Sequence, residues 1–112
     1  MKLEIELISL NSFRWMGRML TNHEDGLRVI EVNSEYGSYC VLENGLSIGG
    51  LLPVLTDPAT LGCVRALVCE RHNTEKLWTR PNILNEWEAY NDNQLISIGK
   101  TEIETLIKAL SL

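Results

Sequence analysis

His23 is followed directly by Glu24 and Asp25, a set that could supply a general base and an acid to orient it. Its setting is the polar cluster Asn22-His23-Glu24-Asp25-Gly26, which ends in the D-G pair of a tight turn. Nothing in such a tip excludes water, so a surface turn is the expected reading. Cys63 lies near the start of a predicted helix, where a thiolate would be favoured, but no histidine is placed by the sequence to activate it. Cys63 and Cys69 are six residues apart, which turns their directions about 120° apart on a helix and denies them a shared metal. With Cys40 they make an odd set without CxxC pairing, so neither a disulfide framework nor a zinc site is expected, and all three read as free core thiols. His72 falls at a helix end, where a cation complements the dipole. Gly45, Gly49 and Gly50 do not form a phosphate-loop pattern. No catalytic residue, metal or cofactor is therefore assigned, and an enzyme is not expected.

The stronger signal is for binding. Arg14-Trp15, with Arg18 close behind, and Trp78-Thr79-Arg80 place a guanidinium beside an indole. An aromatic face and a fixed positive charge together suit a base plus a phosphate, through stacking and Coulomb attraction. Arg14, Trp15, Arg18, Trp78 and Arg80 are accordingly the candidate ligand-binding residues. Each tryptophan could equally serve sheet or core packing.

Composition narrows the partner classes. The chain has 112 residues, 45% of them hydrophobic and 22% charged, which suits one ordinary globular core. Its formal net charge is −5, and the ten Lys and Arg are scattered, so direct nucleic-acid binding is not expected. No apolar run is long enough to cross a bilayer. Acids in Met1-Lys2-Leu3-Glu4-Ile5-Glu6-Leu7 break the stretch that a signal peptide would need, so a cytoplasmic location is expected.

The elements that must position these residues read as α+β, in a single domain over 1–112. The first half, 1–52, is β-rich. Leu3, Ile5 and Leu7 alternate with Glu4 and Glu6 as in a half-buried strand, although Leu3, Leu7 and Leu10 would also suit a helix. Leu27–Val32, Ser38–Leu42 and Leu46–Ile48 follow as short strands between turn signals, which predicts an antiparallel meander. The second half, 56–112, reads as helix, hairpin, helix. Asp57-Pro58 opens a helix whose apolar stripe is Leu61, Val64, Leu67 and Val68. Gly62 within it predicts a closely packed neighbour. Pro81 is expected in a loop after Leu77-Trp78-Thr79, and Trp87–Tyr90 pairs with Gln94–Ile98. Thr101 and Glu104 have capping-box spacing before a helix with Ile103, Leu106, Ile107 and Leu110 on one face. The expectation is one antiparallel sheet system packed with two helices, closed into a barrel or left open.

The segment Asp57-Pro58-Ala59-Thr60-Leu61-Gly62-Cys63, with Trp87-Glu88-Ala89 and Thr101-Glu102-Ile103-Glu104-Thr105-Leu106, resembles small proteins of bacteriophages and prophages. These share a D-P-A-T-x-G-C helix, a strand pair opened by Trp and a closing T-E-x-E-x-L helix, and the likeness covers residues from about 55 to 112. It implies phage origin and carries no catalytic residue. Together with small size and an acidic surface, it leads to the expectation of a non-enzymatic accessory protein acting against a host defence. Such a protein would sequester a nucleotide signal or block a defence effector such as a CRISPR complex, and could form a homo-oligomer. A virion or assembly component, or a small nucleotide hydrolase, is the alternative.

Overall fold

A computed structural model describes residues 2–112 and confirms an α+β protein with antiparallel pairing throughout. Two compact units are formed: residues 14–63 make one, and the segment up to Phe13 with Val64–Leu112 makes the other.

The 14–63 unit is built on a ribbon of β1 (Val29–Ser34) and β2 (Gly37–Leu42), paired from Val29↔Leu42 to Ser34↔Gly37. Gly37, at φ +119°, makes the connection possible. Val29 and Leu42, both buried, anchor the base of the ribbon beside Met19. The expected third strand at Leu46–Ile48 does not form. Leu46 instead closes a turn in which its carbonyl accepts from Leu42 N–H at 2.8 Å. The chain before β1 is held by isolated bridges, Leu20↔Arg28 and Thr21↔Pro53.

The helix α2 (Pro58–Arg71) opens as expected. Asp57 Oδ2 accepts from Thr60 N–H at 3.0 Å and from the Thr60 hydroxyl at 3.1 Å, the geometry of an N-cap. Gly62 corrects an expectation, because nothing lies within 4 Å of where its Cβ would stand. It therefore carries the entropic cost of glycine without a packing reason. Gly62→Ala is expected to stabilise the protein by about 0.5–1 kcal/mol, read as a higher urea midpoint at unchanged slope.

In the other unit, a sheet of order β3-β4-β5 is formed by β3 (Leu77–Pro81), β4 (Trp87–Asn91) and β5 (Gln94–Gly99). Pro81 belongs to the strand and not to a loop, since it sits on an edge and owes no donor to β4. The paired β4 and β5 match expectation, with a register shift between Ala89 and Tyr90. The last helix, α3 (Glu102–Ser111), covers one face of this sheet with Leu106, Ile107, Ala109 and Leu110 buried. Thr101 caps it by accepting from Glu104 N–H at 3.2 Å, and Glu104 reaches back to Lys100 N–H at 3.3 Å, one residue beyond the expected box partner.

The N-terminal segment is a helix, α1 (Lys2–Ile8), where alternation had predicted a strand. Leu7 is fully buried but Ile5 is 54% exposed, so the alternating residues do not share one buried face. A lone strand would leave its main chain unpaired, whereas a helix satisfies it internally and packs against α3 with Leu7 buried.

Candidate functional site

The segment 14–18 is an irregular stretch ending in a turn, and main-chain bonds pin its end to the ribbon. Arg18 N–H donates to the Val29 carbonyl at 2.8 Å, and Val29 N–H returns a bond to Met19 at 2.8 Å. Two thiols hold the segment from other sides. Cys40 donates to the Trp15 carbonyl and Cys63 to the Gly17 carbonyl, each at 3.5 Å. Burial pushes both thiols up from their ordinary pKa, against the opposing pull of Arg14 on Cys40 and of Arg18 on Cys63. They stay protonated at neutral pH and act as donors, not nucleophiles.

Arg18 carries the sharpest local signal, a positive φ of 83° on a side chain that is not glycine. This conformation is disfavoured for an L-residue. Both ends of the peptide are fixed, by Val29 at the N–H and by Arg28 Nη1, which donates to the Arg18 carbonyl at 2.9 Å. Arg28 is itself held by a two-pronged pair with Asp57, 2.8 Å on each arm. The helix cap thus supports the strained turn.

Arg14, Trp15 and Arg18 line one open cleft of about 630 Å³ with Tyr39, Ser38 and Glu31 from the ribbon. Its volume falls in the range of small-molecule sites. Arg18 has no ion-pair partner among the described residues, whereas Arg28, Arg65 and Arg80 each meet a carboxylate. A cleft with two guanidinium groups and two aromatic rings can stack a planar ring and bind an anion beside it. Tyr39, Ser38 and Glu31 were not paired with the arginines by sequence, because only the β1–β2 register brings them there.

Trp78 and Arg80 form a separate cluster in the other unit. The rings of Trp78 and Tyr90 stack with centroids 4.4 Å apart and planes 10° from parallel. The Arg80 guanidinium lies 5.6 Å and 5.1 Å from the two ring centres. It is already engaged by Glu88 at 2.9 Å and by the Tyr90 hydroxyl at 3.0 Å, and the indole N–H donates to the Asp92 carbonyl at 2.6 Å. The Arg80 bond holds the Glu88 carboxyl below its usual range. An anion would have to displace that carboxylate, so this ladder stiffens a sheet rather than offering free charge.

His23 Nδ1 accepts from Asp25 N–H at 3.1 Å, which makes it a turn-forming residue on a polar tip. His72 Nε2 donates to the Ala109 carbonyl at 2.7 Å, tying the end of α2 to α3. Among the described residues no group of His, Cys, Asp and Glu is arranged to hold a metal, and no helix is long and apolar enough to cross a membrane.

Fold and cleft together define a small α+β protein with a preformed, arginine- and aromatic-lined pocket. No family model, curated protein or solved structure matches the chain.

Proposed function

We propose that this is a non-enzymatic binding protein whose cleft takes a compact phosphorylated ligand with an aromatic ring, and that it sequesters a nucleotide signal. The observation that carries this reading is the convergence of Arg14, Trp15 and Arg18 with Tyr39 on one cleft. The strained backbone at Arg18 supports it, because a residue retained at a cost to the fold points to a use for its side chain. With the phage-like segments of the sequence, the role is that of a bacteriophage accessory protein acting in the host cytoplasm against a nucleotide-signalled defence. The net charge of −5 fits a protein that competes for a small ligand and leaves nucleic acid alone.

Calorimetry against a panel of mono-, di- and cyclic nucleotides tests it. One member is expected to bind without turnover. Arg14→Ala and Trp15→Ala should each weaken it by about tenfold or more, the order expected for a charge-assisted bond or a stacked ring. Arg18→Gly is the most informative variant. It should weaken binding similarly while leaving the melting temperature equal or higher, since glycine adopts φ +83° freely. A panel without a binder, or a binder indifferent to all three substitutions, rejects the reading.

A further inference from the structure

The cleft sorts its donors from its acceptors. Glu31 stands opposite Cys40 in the ribbon, and alternation turns Ser38 to the same face. All three line the cleft, and the donors among them are already spent. The Cys40 thiol donates to the Trp15 carbonyl at 3.5 Å, and the Ser38 hydroxyl donates to Asn33 Oδ1 at 2.6 Å. The Glu31 carboxylate has only acceptors to offer, and among the described residues it has no hydrogen-bond or ion-pair partner. The main chain of Gly17 passes beside it, where a Cβ would stand 3.8 Å from Glu31 Cβ. Glu31 is thus set between Cys40 and Gly17, against the segment that carries Trp15.

We infer that the base taken by this cleft is guanine and that Glu31 selects it, one carboxylate oxygen accepting from N1–H and the other from the N2 amino group. The inference rests on the cleft being a nucleotide site. A carboxylate is matched by an edge that carries two donors side by side, and guanine has that edge. Adenine sets the acceptor N1 beside its amino group and cytosine sets the acceptor N3 there, so each turns a lone pair toward the acid. Uracil offers a single N–H flanked by carbonyl oxygens. Ser38, with its proton committed to Asn33, adds a further acceptor and penalises the same edges. The acid also orients the ligand. A phosphate beside Glu31 meets like charge, so the phosphate goes to Arg18, whose guanidinium has no ion-pair partner among the described residues. An anion site alone is weakened by a carboxylate in its lining, so Glu31 belongs to the recognition of the base.

Calorimetry with guanosine, inosine, adenosine, cytidine and uridine nucleotides, as 5′-monophosphates and as cyclic mono- and dinucleotides, tests the assignment. The guanine member should bind about tenfold to a hundredfold more tightly than its adenine counterpart, the discrimination of one two-pronged base contact. The inosine member, which keeps N1–H and lacks the amino group, should fall between them. Glu31→Gln decides the role of the residue. An amide presents a donor beside an acceptor, so guanine should lose about tenfold and adenine should gain, which narrows or reverses the preference. Glu31 is exposed, so the variant should keep the wild-type melting temperature. An adenine or pyrimidine ligand bound as tightly as guanine, or a guanine preference that survives Glu31→Gln, overturns the assignment and leaves the stacking and phosphate contacts of the cleft standing. A panel with no binder rejects the nucleotide site and the base assignment with it.

Discussion

At pH 7, Asp57→Ala should cost about 2–3 kcal/mol of stability and Asp57→Asn about 1 kcal/mol, read from urea midpoints. The alanine variant removes both roles of the carboxylate. It strips Thr60 N–H of its acceptor at the start of α2, and it frees Arg28 from its two-pronged pair. Asparagine is a good N-cap, so it keeps the first role and loses the second. Asp57 is 9% exposed and Arg28 41% exposed, so the released guanidinium finds water and leaves no stranded buried charge. That exposure keeps the loss below what a buried pair would suffer.

The acid limb separates the two contributions further. The Arg28 bond, followed by the bonds from Thr60, holds the Asp57 carboxyl well below the usual carboxylate range. Its folded pKa is depressed, so its stabilisation is fully present above the ordinary value of about 4 and is lost as pH falls below that. The gap between the wild type and Asp57→Asn should therefore be widest at neutral pH and close toward pH 2. A gap that stays constant across that window would show that the charge contributes nothing. The same variants should also weaken ligand binding in the cleft, because Arg28 bonds the Arg18 carbonyl while holding Asp57.

This network marks where sequence reading stops. Asp57-Pro58 was legible because a cap is a local device, with donor and acceptor three residues apart. Arg28 as its partner was not, since the pair spans 29 residues and depends on how the ribbon lies against the start of α2. The hairpin of β4 and β5 and the closing helix were legible for the same local reason. The N-terminal helix was misread because the Leu/Ile and Glu run from Leu3 to Ile8 satisfies both periods, and only burial of Leu7 with exposure of Ile5 separates them. Gly62 was misread because a glycine in a helix signals a packing need or mere tolerance, and sequence does not distinguish the two.

The candidate site was legible in part. Arg14, Trp15 and Arg18 are neighbours in the chain, so a single turn delivers them to one cleft. Trp78 and Arg80 have the same chemistry but lie two apart on a strand, which sets them beside Tyr90 and Glu88: Tyr90 covers the indole, and both residues engage the guanidinium. Residue type proposed both clusters. Only the cross-strand partners show that the Arg80 guanidinium is already paired.

Gly99→Ala should destabilise the protein by about 3 kcal/mol, at the upper end for added bulk in a close-packed site. Gly99 ends β5 where α3 crosses the sheet, and it is buried. A Cβ there would stand 2.8 Å from Thr105 Oγ1, 2.9 Å from Thr105 N and 3.2 Å from its Cα. The hydroxyl could rotate, but the main-chain atoms belong to the first turns of α3 and move only with the helix. That helix is fixed by the bond from Thr105 Oγ1 to the Trp87 carbonyl at 3.2 Å and by the buried Leu106, Ala109 and Leu110. For a chain of this size the loss corresponds to a fall in melting temperature of roughly 10–20 °C. Thr105→Ala in the Gly99→Ala background decides which atoms collide. If the main chain is the obstacle, the second substitution adds its own cost, because it removes the Trp87 and Thr101 bonds without relieving the clash. Recovery of stability in the double variant would show that the hydroxyl alone was in the way and that α3 rests less tightly on β5 than these distances require.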